Sequence, residues 1–171
     1  MNLQPSLENE SVRIRPVRPD DFEALFAVAA DPLIWSQHPN PLRWQRAEFA
    51  NYFNGAIESG GAFMVFDSQT GELIGSSRFC NLNAEKRSVE IGYTFLIRSK
   101  WGGKFNPALK KLMLDHAFQQ GLERVQFFIG ANNLRSQIAM ERLGGRKIGE
   151  RETAYFGEPM KLDFVFEIRR R

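Results

Sequence analysis

A chain of 171 residues with 43% hydrophobic content is long enough to fill one domain, and no internal repeat or low-complexity linker marks a second. The net charge of +3 suits a polyanionic ligand, but the basic residues are scattered apart from Arg169-Arg170-Arg171, and no nucleic-acid module accompanies them, so no nucleic-acid partner is expected. No apolar run reaches about 18 residues, the polar start Met1-Asn-Leu-Gln-Pro5 lacks a signal-peptide centre, and one Cys with two His makes neither a disulfide nor a metal-ligand set; a cytoplasmic protein with no membrane partner and no metal is expected.

The first strand is predicted over Ser11–Arg18, where Val12 and Ile14 alternate up to Pro16. A helix follows: Asp20 and Glu23 form a variant capping box, Phe22, Leu25, Phe26 and Ala29 recur on one face, and Asp31-Pro32 ends it. The second helix, Arg43 to Ser59, carries Phe49, Tyr52, Phe53 and Ile57 as its apolar stripe and stops at Gly60-Gly61. Ala62–Phe66 and Glu72–Phe79 flank Asp67-Ser-Gln-Thr-Gly71 and make a hairpin, with Ser88–Ile97 as the next antiparallel strand. Cys80 reads as a small, half-buried strand residue.

The stretch Ile97-Arg-Ser-Lys-Trp-Gly-Gly-Lys-Phe-Asn-Pro107 is the most informative. It joins the β-branched and aromatic strand Tyr93–Ile97 to a helix over Pro107–Gln120. Gly102 and Gly103 allow close backbone approach, Asn106 suits the N-cap and Pro107 the first helical position. The free amides of such a helix start would face an anion; glycine pairs also close purely structural turns. Val125–Ile129 is then a strand, and the helix Asn133–Leu143 opens on asparagine and closes on glycine. The strands Arg146–Phe156 and Lys161–Ile168 complete the series.

In this order the segments resemble the GNAT superfamily of acetyl-CoA-dependent N-acetyltransferases, closest to its branch of ribosomal-protein N-terminal acetyltransferases. The resemblance runs from about Arg13 to about Phe166. It implies one α/β (α+β) domain over residues 1–171, with a mixed, twisted, mainly antiparallel sheet of about six or seven strands flanked by helices on both faces. It also implies acetyl-CoA as co-substrate, a small amine or peptide N-terminus as acceptor, and direct attack within a ternary complex; a homodimer is left open. By the same resemblance the strands ending at Ile97 and beginning near Val125 splay apart and admit the pantetheine arm. Phe95, Ile97, Trp101, Gly102, Gly103, Lys104, Phe105, Asn106, Asn133 and Ser136 would bind the cofactor. Lys104 stands where the superfamily usually has glycine, Asn106 where it has a small residue, and Met140 where many members have tyrosine. Those departures keep open the alternative of a CoA-binding module with weak or no catalysis.

The chemistry asks for a base, because a lysine amine has pKa about 10.4 and an α-amine about 7.7 to 8.0. Glu90, in Val89-Glu90-Ile91-Gly92 on the strand leading to the loop, is the candidate; its structural reading is a strand carboxylate paired with Arg87 or Arg78. Backbone amides of Phe95 to Ile97 could hold the thioester oxygen, and Lys100 or Lys104 could add charge at the pyrophosphate. Asn133-x-x-Ser136 matches the branch pattern, so Ser136 would orient the CoA sulfur or donate to it; alternatively it bonds its own helix backbone. Asn133 serves as N-cap, cofactor contact or both. His38 in Trp35-Ser-Gln-His-Pro39, Arg43 and Tyr155 are the acceptor-side candidates, with Trp35 and Trp44 as weaker ones. His116 is assigned no role.

Overall fold

Apolar alternation builds one eight-stranded sheet, one strand more than the larger predicted number. The computed structural model describes residues 1–170, so Arg171 of the basic tail lies outside the described residues. In chain order the elements are β1 (Leu7–Glu8), β2 (Val12–Pro16), α1 (Phe22–Ala29), α2 (Pro32–Trp35), α3 (Arg46–Ser59), β3 (Ala62–Asp67), β4 (Leu73–Asn83), β5 (Ser88–Leu96), α4 (Phe105–Gln119), β6 (Arg124–Gly130), α5 (Leu134–Arg142), β7 (Arg146–Ala154) and β8 (Met160–Arg169). The sheet order is β1-β2-β3-β4-β5-β6-β8-β7, and among the described residues only the β5–β6 pair is parallel. The extra strand is β1, two residues that pair with β2 and are too short to leave a period-two signal.

Helices cover both faces, as predicted, because β3 is apolar on both sides. Phe63 and Val65 pack with α4 residues Leu109, Met113 and Ala117. Ala62 and Met64 pack with Leu25 of α1, Trp35 of α2 and Phe49, Tyr52 and Phe53 of α3. The first core is mainly aliphatic, with Phe63, Phe79, Phe127 and Phe166 among its members, whereas the second is a lattice of rings, with Trp35 edge-on to Tyr52 at 5.7 Å and tilted against Phe95 at 4.8 Å.

Local chemistry corrects several predicted boundaries. Asp20 and Glu23 form no capping box. Asp21 instead accepts the Arg18 amide at 2.7 Å and a two-pronged Arg15 bond at 2.7 Å per prong, a stronger arrangement than a neutral cap. Asp31 does not close α1, which ends at Ala29; its carboxylate accepts the Leu33 amide and starts α2. The second long helix begins at Arg46 rather than Arg43, and Ala56 rather than Ile57 completes its buried stripe. The helix after the glycine pair starts at Phe105, so Asn106 and Pro107 lie inside its first turn and Lys104 occupies the cap position with no side-chain bond.

The feature that positions the site is a divergence. β5 pairs with β6 only at Ser88↔Arg124, Val89↔Val125 and Glu90↔Gln126. Beyond that point β5 follows β4 through a register shift between Ser76 and Arg78, and Tyr93 adopts a left-handed φ of 54°. A bulge of this kind bends its strand away from a neighbour.

Two adjacent glycines at the α3–β3 junction do different work. Gly60 closes α3 in the left-handed region with open space around it, whereas a Cβ on Gly61 would lie 2.1 Å from the Phe79 carbonyl oxygen. Gly61→Ala should therefore cost about 3 kcal/mol, at the upper end for overpacking, and Gly60→Ala about 1 kcal/mol, the left-handed penalty for an L-residue. Urea unfolding of both variants checks the order, and equal costs would mean that β4 yields at Phe79.

Candidate active site

The divergence opens a cleft of about 700 Å³ between β5 and β6, extending from Glu90 and Tyr155 to the Gly102-Gly103 turn. Its walls mix apolar side chains such as Ile91, Phe127, Ile129 and Met140 with polar and charged ones such as Glu90, Thr94, Lys110 and Arg135, so the site can hold a ligand that is part apolar and part polar.

At the glycine end, Gly102 takes a φ of 70°, and a Cβ on Gly102 or Gly103 would meet nothing within 4 Å. The backbone there is open to a ligand. No side chain caps α4, so its first amides are free for an anion. Trp101, Gly102, Gly103 and Asn106 line the cleft, but Lys104 and Phe105 do not. Lys100 does, yet its ammonium is committed to Asp67 at 2.9 Å and Glu72 at 3.1 Å, which corrects the expectation that it offers free charge. The guanidinium of Arg135 lies 3.8 Å above the Trp101 ring and pairs with no carboxylate among the described residues. Its Nη2 donates to the Ile34 carbonyl at 3.2 Å, tying α5 to the α2 segment.

Along the splayed strand the register decides which amides are available. Ile97 donates its N–H to the Ile74 carbonyl at 2.8 Å and does not line the cleft. Since bonded pairs alternate in an antiparallel ladder, Phe95 also turns its amide to β4, and Leu96 turns its own toward the gap. Trp101 Nε1 donates to the Leu96 carbonyl at 2.8 Å, which agrees with that orientation. Of the amides from Phe95 to Ile97 expected to hold the thioester oxygen, that of Leu96 is the one turned toward the gap. Asn133 is the N-cap of α5, accepting the Ser136 amide at 3.2 Å. Ser136 lines the cleft.

At the other end sits Glu90, 6% exposed. It pairs with neither Arg87, which binds Glu123, nor Arg78, which donates to the Tyr52 carbonyl. Its partner is Asn81, whose Nδ2 donates to Glu90 Oε2 at 2.6 Å. Gly92 leaves room for the carboxylate, because a Cβ there would come within 2.8 Å of Glu90 Oε1. Burial pushes the Glu90 pKa up, and the Asn81 hydrogen bond only partly offsets it.

The acceptor-side candidates come together but are quieter than predicted. Arg43 is buried under the rings of Trp35, Tyr52, Tyr93 and Tyr155 and neutralised by Glu158 at 2.9 Å. Burial, then repulsion from Arg43 and Arg135, lowers the His38 pKa to about 3, so its imidazole is neutral and too weak a base for the task. Tyr155 donates its hydroxyl to Asp163 Oδ2 at 2.8 Å, and burial raises its pKa. Trp44 does not line the cleft. Lys110, Asn81 and Arg135 escape the sequence reading. Lys110 and Arg135 had a legible signal, one lying a turn past Asn106 and the other inside Asn133-x-x-Ser136.

The acetyltransferase (GNAT) domain family matches residues 11–146. The chain is 27% identical over 175 residues to YdaF of Bacillus subtilis strain 168, provisionally named a ribosomal N-acetyltransferase, across 92% of this chain and 90% of that protein. A GCN5-related N-acetyltransferase from Brucella melitensis superposes with a TM-score of 0.81 at 21% identity, covering 97% of this chain and 79% of the other. Mycobacterium smegmatis RimJ, in complex with CoA-disulfide, superposes with a TM-score of 0.72 at 20% identity, covering 96% and 86%.

The raised Glu90 pKa makes a stability prediction. A carboxyl whose folded pKa lies above its unfolded value favours folding most below the unfolded pKa, about 4.3, and loses that contribution as pH rises through the folded pKa. Glu90→Gln should therefore raise the melting temperature by a few degrees at pH 8 and change it little at pH 4. Thermal unfolding at the two pH values measures this, and equal shifts would show that Glu90 is well solvated when ionised.

Proposed function

The chain belongs to the GNAT acetyltransferase family, and we propose that it acts as a single catalytic domain transferring acetyl groups to a primary amine by direct attack in a ternary complex. The acceptor is a small amine or a peptide N-terminus, and the enzyme works in the cytoplasm. One observation carries the reading: a single cleft has an open glycine turn and an uncapped helix start at one end and a buried, unpaired carboxylate at the other.

The residues fit the cofactor. Leu96 offers a strand amide to the pantetheine arm, while the Gly102-Gly103 backbone and the first α4 amides suit a pyrophosphate. Acetyl-CoA, when bound, supplies a thioester whose C–S bond breaks as the acceptor nitrogen forms its C–N bond.

The protein's part is to hold and move protons. Glu90 attracts the incoming ammonium and takes its proton; burial, by raising its pKa, makes the carboxylate a better base near neutral pH. The neighbouring cleft wall does not compete, since His38 is neutral and Arg43 is matched by Glu158. Ser136, held at the start of α5 by Asn133, is set to donate to the departing sulfur.

Acetyl-CoA at a hundred times its Kd should stabilise the fold by about 2.7 kcal/mol, and Gly103→Val should weaken that effect while leaving the fold intact, because the added side chain enters space open to the ligand. No melting shift at millimolar acetyl-CoA, together with no calorimetric binding, sinks the assignment. Thiol release across a panel of amines and peptides then identifies the acceptor, and binding with no transfer to any of them favours the non-catalytic module. Glu90→Gln should lower the transfer rate by about a hundredfold at pH 7 and recover part of it by pH 9, where solvent deprotonates the amine. A wild-type rate from pH 6 to 9 would make Glu90 structural.

A further inference from the structure

We propose that the ammonium of Lys110 is a cofactor-binding donor, aimed at a carbonyl oxygen of an acyl-pantetheine arm lying in the β5–β6 gap. The inference rests on the acetyltransferase reading and adds to it a residue from the α4 face of the sheet. Lys110 stands one turn beyond Asn106 on α4, is 6% exposed and lines the cleft. Its Nζ donates to Thr94 Oγ1 at 2.5 Å, on the part of β5 that has left its neighbour, and lies 5.6 Å from the Phe127 ring centroid on β6. The side chain thus spans the floor of the gap from one diverging strand to the other.

An ammonium has three N–H donors, and among the described residues this one has a single acceptor, the Thr94 hydroxyl. Thr94 Oγ1 is itself shared with Ser77 Oγ at 2.8 Å. Across the elements packed around it, β5 presents the Thr94 hydroxyl, β6 the Phe127 ring and β4 the Cys80 thiol. Among the described residues no carboxylate or guanidinium bears on it. Buried donors without acceptors are costly, so the site is incomplete until an oxygen occupies the gap.

The surroundings select the kind of oxygen. Phe127 lies beside the ammonium and Ile91, Ile129 and Met140 also line the cleft, and phosphate groups have a better place at the Gly102-Gly103 turn. A neutral amide or thioester carbonyl suits an apolar floor, and Lys110 would give it a charge-assisted hydrogen bond.

A titration signature follows. Burial lowers the Lys110 pKa to about 7, so near pH 8 much of it is neutral before the ligand arrives. A carbonyl acceptor favours the ammonium and raises the pKa in the complex, so binding takes up a proton between the two values. Affinity is greatest below the free value and falls as pH rises through it. Cys80 does not confuse the signal, since burial and the nearby Glu90 push its thiol far above this range.

Isothermal titration calorimetry of acetyl-CoA at pH 8, in two buffers of different ionisation enthalpy, reads the uptake directly. The wild type should take up more than half a proton and Lys110→Met none, with acetyl-CoA binding about tenfold weaker in the variant at pH 6.5. Adenosine 3′,5′-diphosphate, which lacks the pantetheine arm, should bind both proteins equally and without proton uptake at pH 8. If the variant does not fold, the wild-type comparison of the two ligands decides alone, and equal proton uptake overturns the proposal. Acetyl-CoA binding of equal strength and equal proton linkage in both proteins overturns the Lys110 role and leaves the acetyltransferase reading standing. No binding of acetyl-CoA to the wild type overturns both.

Discussion

The parting of β5 from β6 after Glu90 is the constraint on which the rest of the molecule turns. A continuous sheet would satisfy the strand amides internally and leave no room between the helical layers. The bulge against β4 and the left-handed Tyr93 prevent that closure. An aromatic residue at positive φ costs on the order of 1 to 3 kcal/mol, so the conformation must be held. Tyr52 donates its hydroxyl to the Tyr93 carbonyl at 2.6 Å, and the Arg78 guanidinium stacks 3.9 Å from the Tyr93 ring centroid. The ring-rich core beside α3 is therefore more than packing, since it clamps the residue that opens the cleft.

Charge in and around that cleft sorts into two groups. Arg43 with Glu158 and Lys100 with Asp67 and Glu72 are internally matched. Buried pairs of this sort add little net stability because desolvation opposes their attraction; their effect here is to keep the walls electrically quiet. Among the described residues, Glu90, Lys110 and Arg135 have no oppositely charged partner at bonding distance. Leaving them unmatched costs stability, a cost expected where function rather than folding sets the residue. Matched walls around unmatched groups let an incoming ligand feel those few charges with little competition.

Much of the architecture was legible in the sequence because it depends on period and punctuation. The Asp67–Gly71 turn, the left-handed Gly60 closing α3, the Asn133 cap of α5 and helices on both faces all appear where those signals point. Several failures share a physical origin, competition from partners outside the local pattern. Asp21, bound to Arg15 and the Arg18 amide, replaces the expected Asp20–Glu23 capping box, and Lys100 is drawn to acidic groups of the β3–β4 turn. Within the site, Glu90 and the glycine turn were legible as a strand carboxylate and a loop beside one helix start. Arg43 was legible as a cleft residue but not as a neutralised one, because Glu158 lies 115 positions away in sequence.

The orientation of the Leu96 amide and the place of Lys110 share a subtler cause, a change of phase within β5. Val89 and Ile91 belong to the α4 core, so Glu90 faces the opposite side. Strict alternation would put Leu96 on the same side as Glu90. Leu96 instead belongs to the α4 core, and Phe95 to the aromatic core of α1 to α3. The extra residue at the Tyr93 bulge has inverted the phase, which also turns Thr94 toward Lys110 on α4. One bulge thus distributes the cleft chemistry over both faces, with the acid on the α1–α3 side and the lysine on the α4 side. Burial then acts on the two in opposite directions, raising the carboxyl and lowering the ammonium, so both titrate closer to neutrality than they would in water. A strand without the bulge would keep the same residues and lose this division, because Thr94 would no longer turn toward Lys110 and no gap would lie between them.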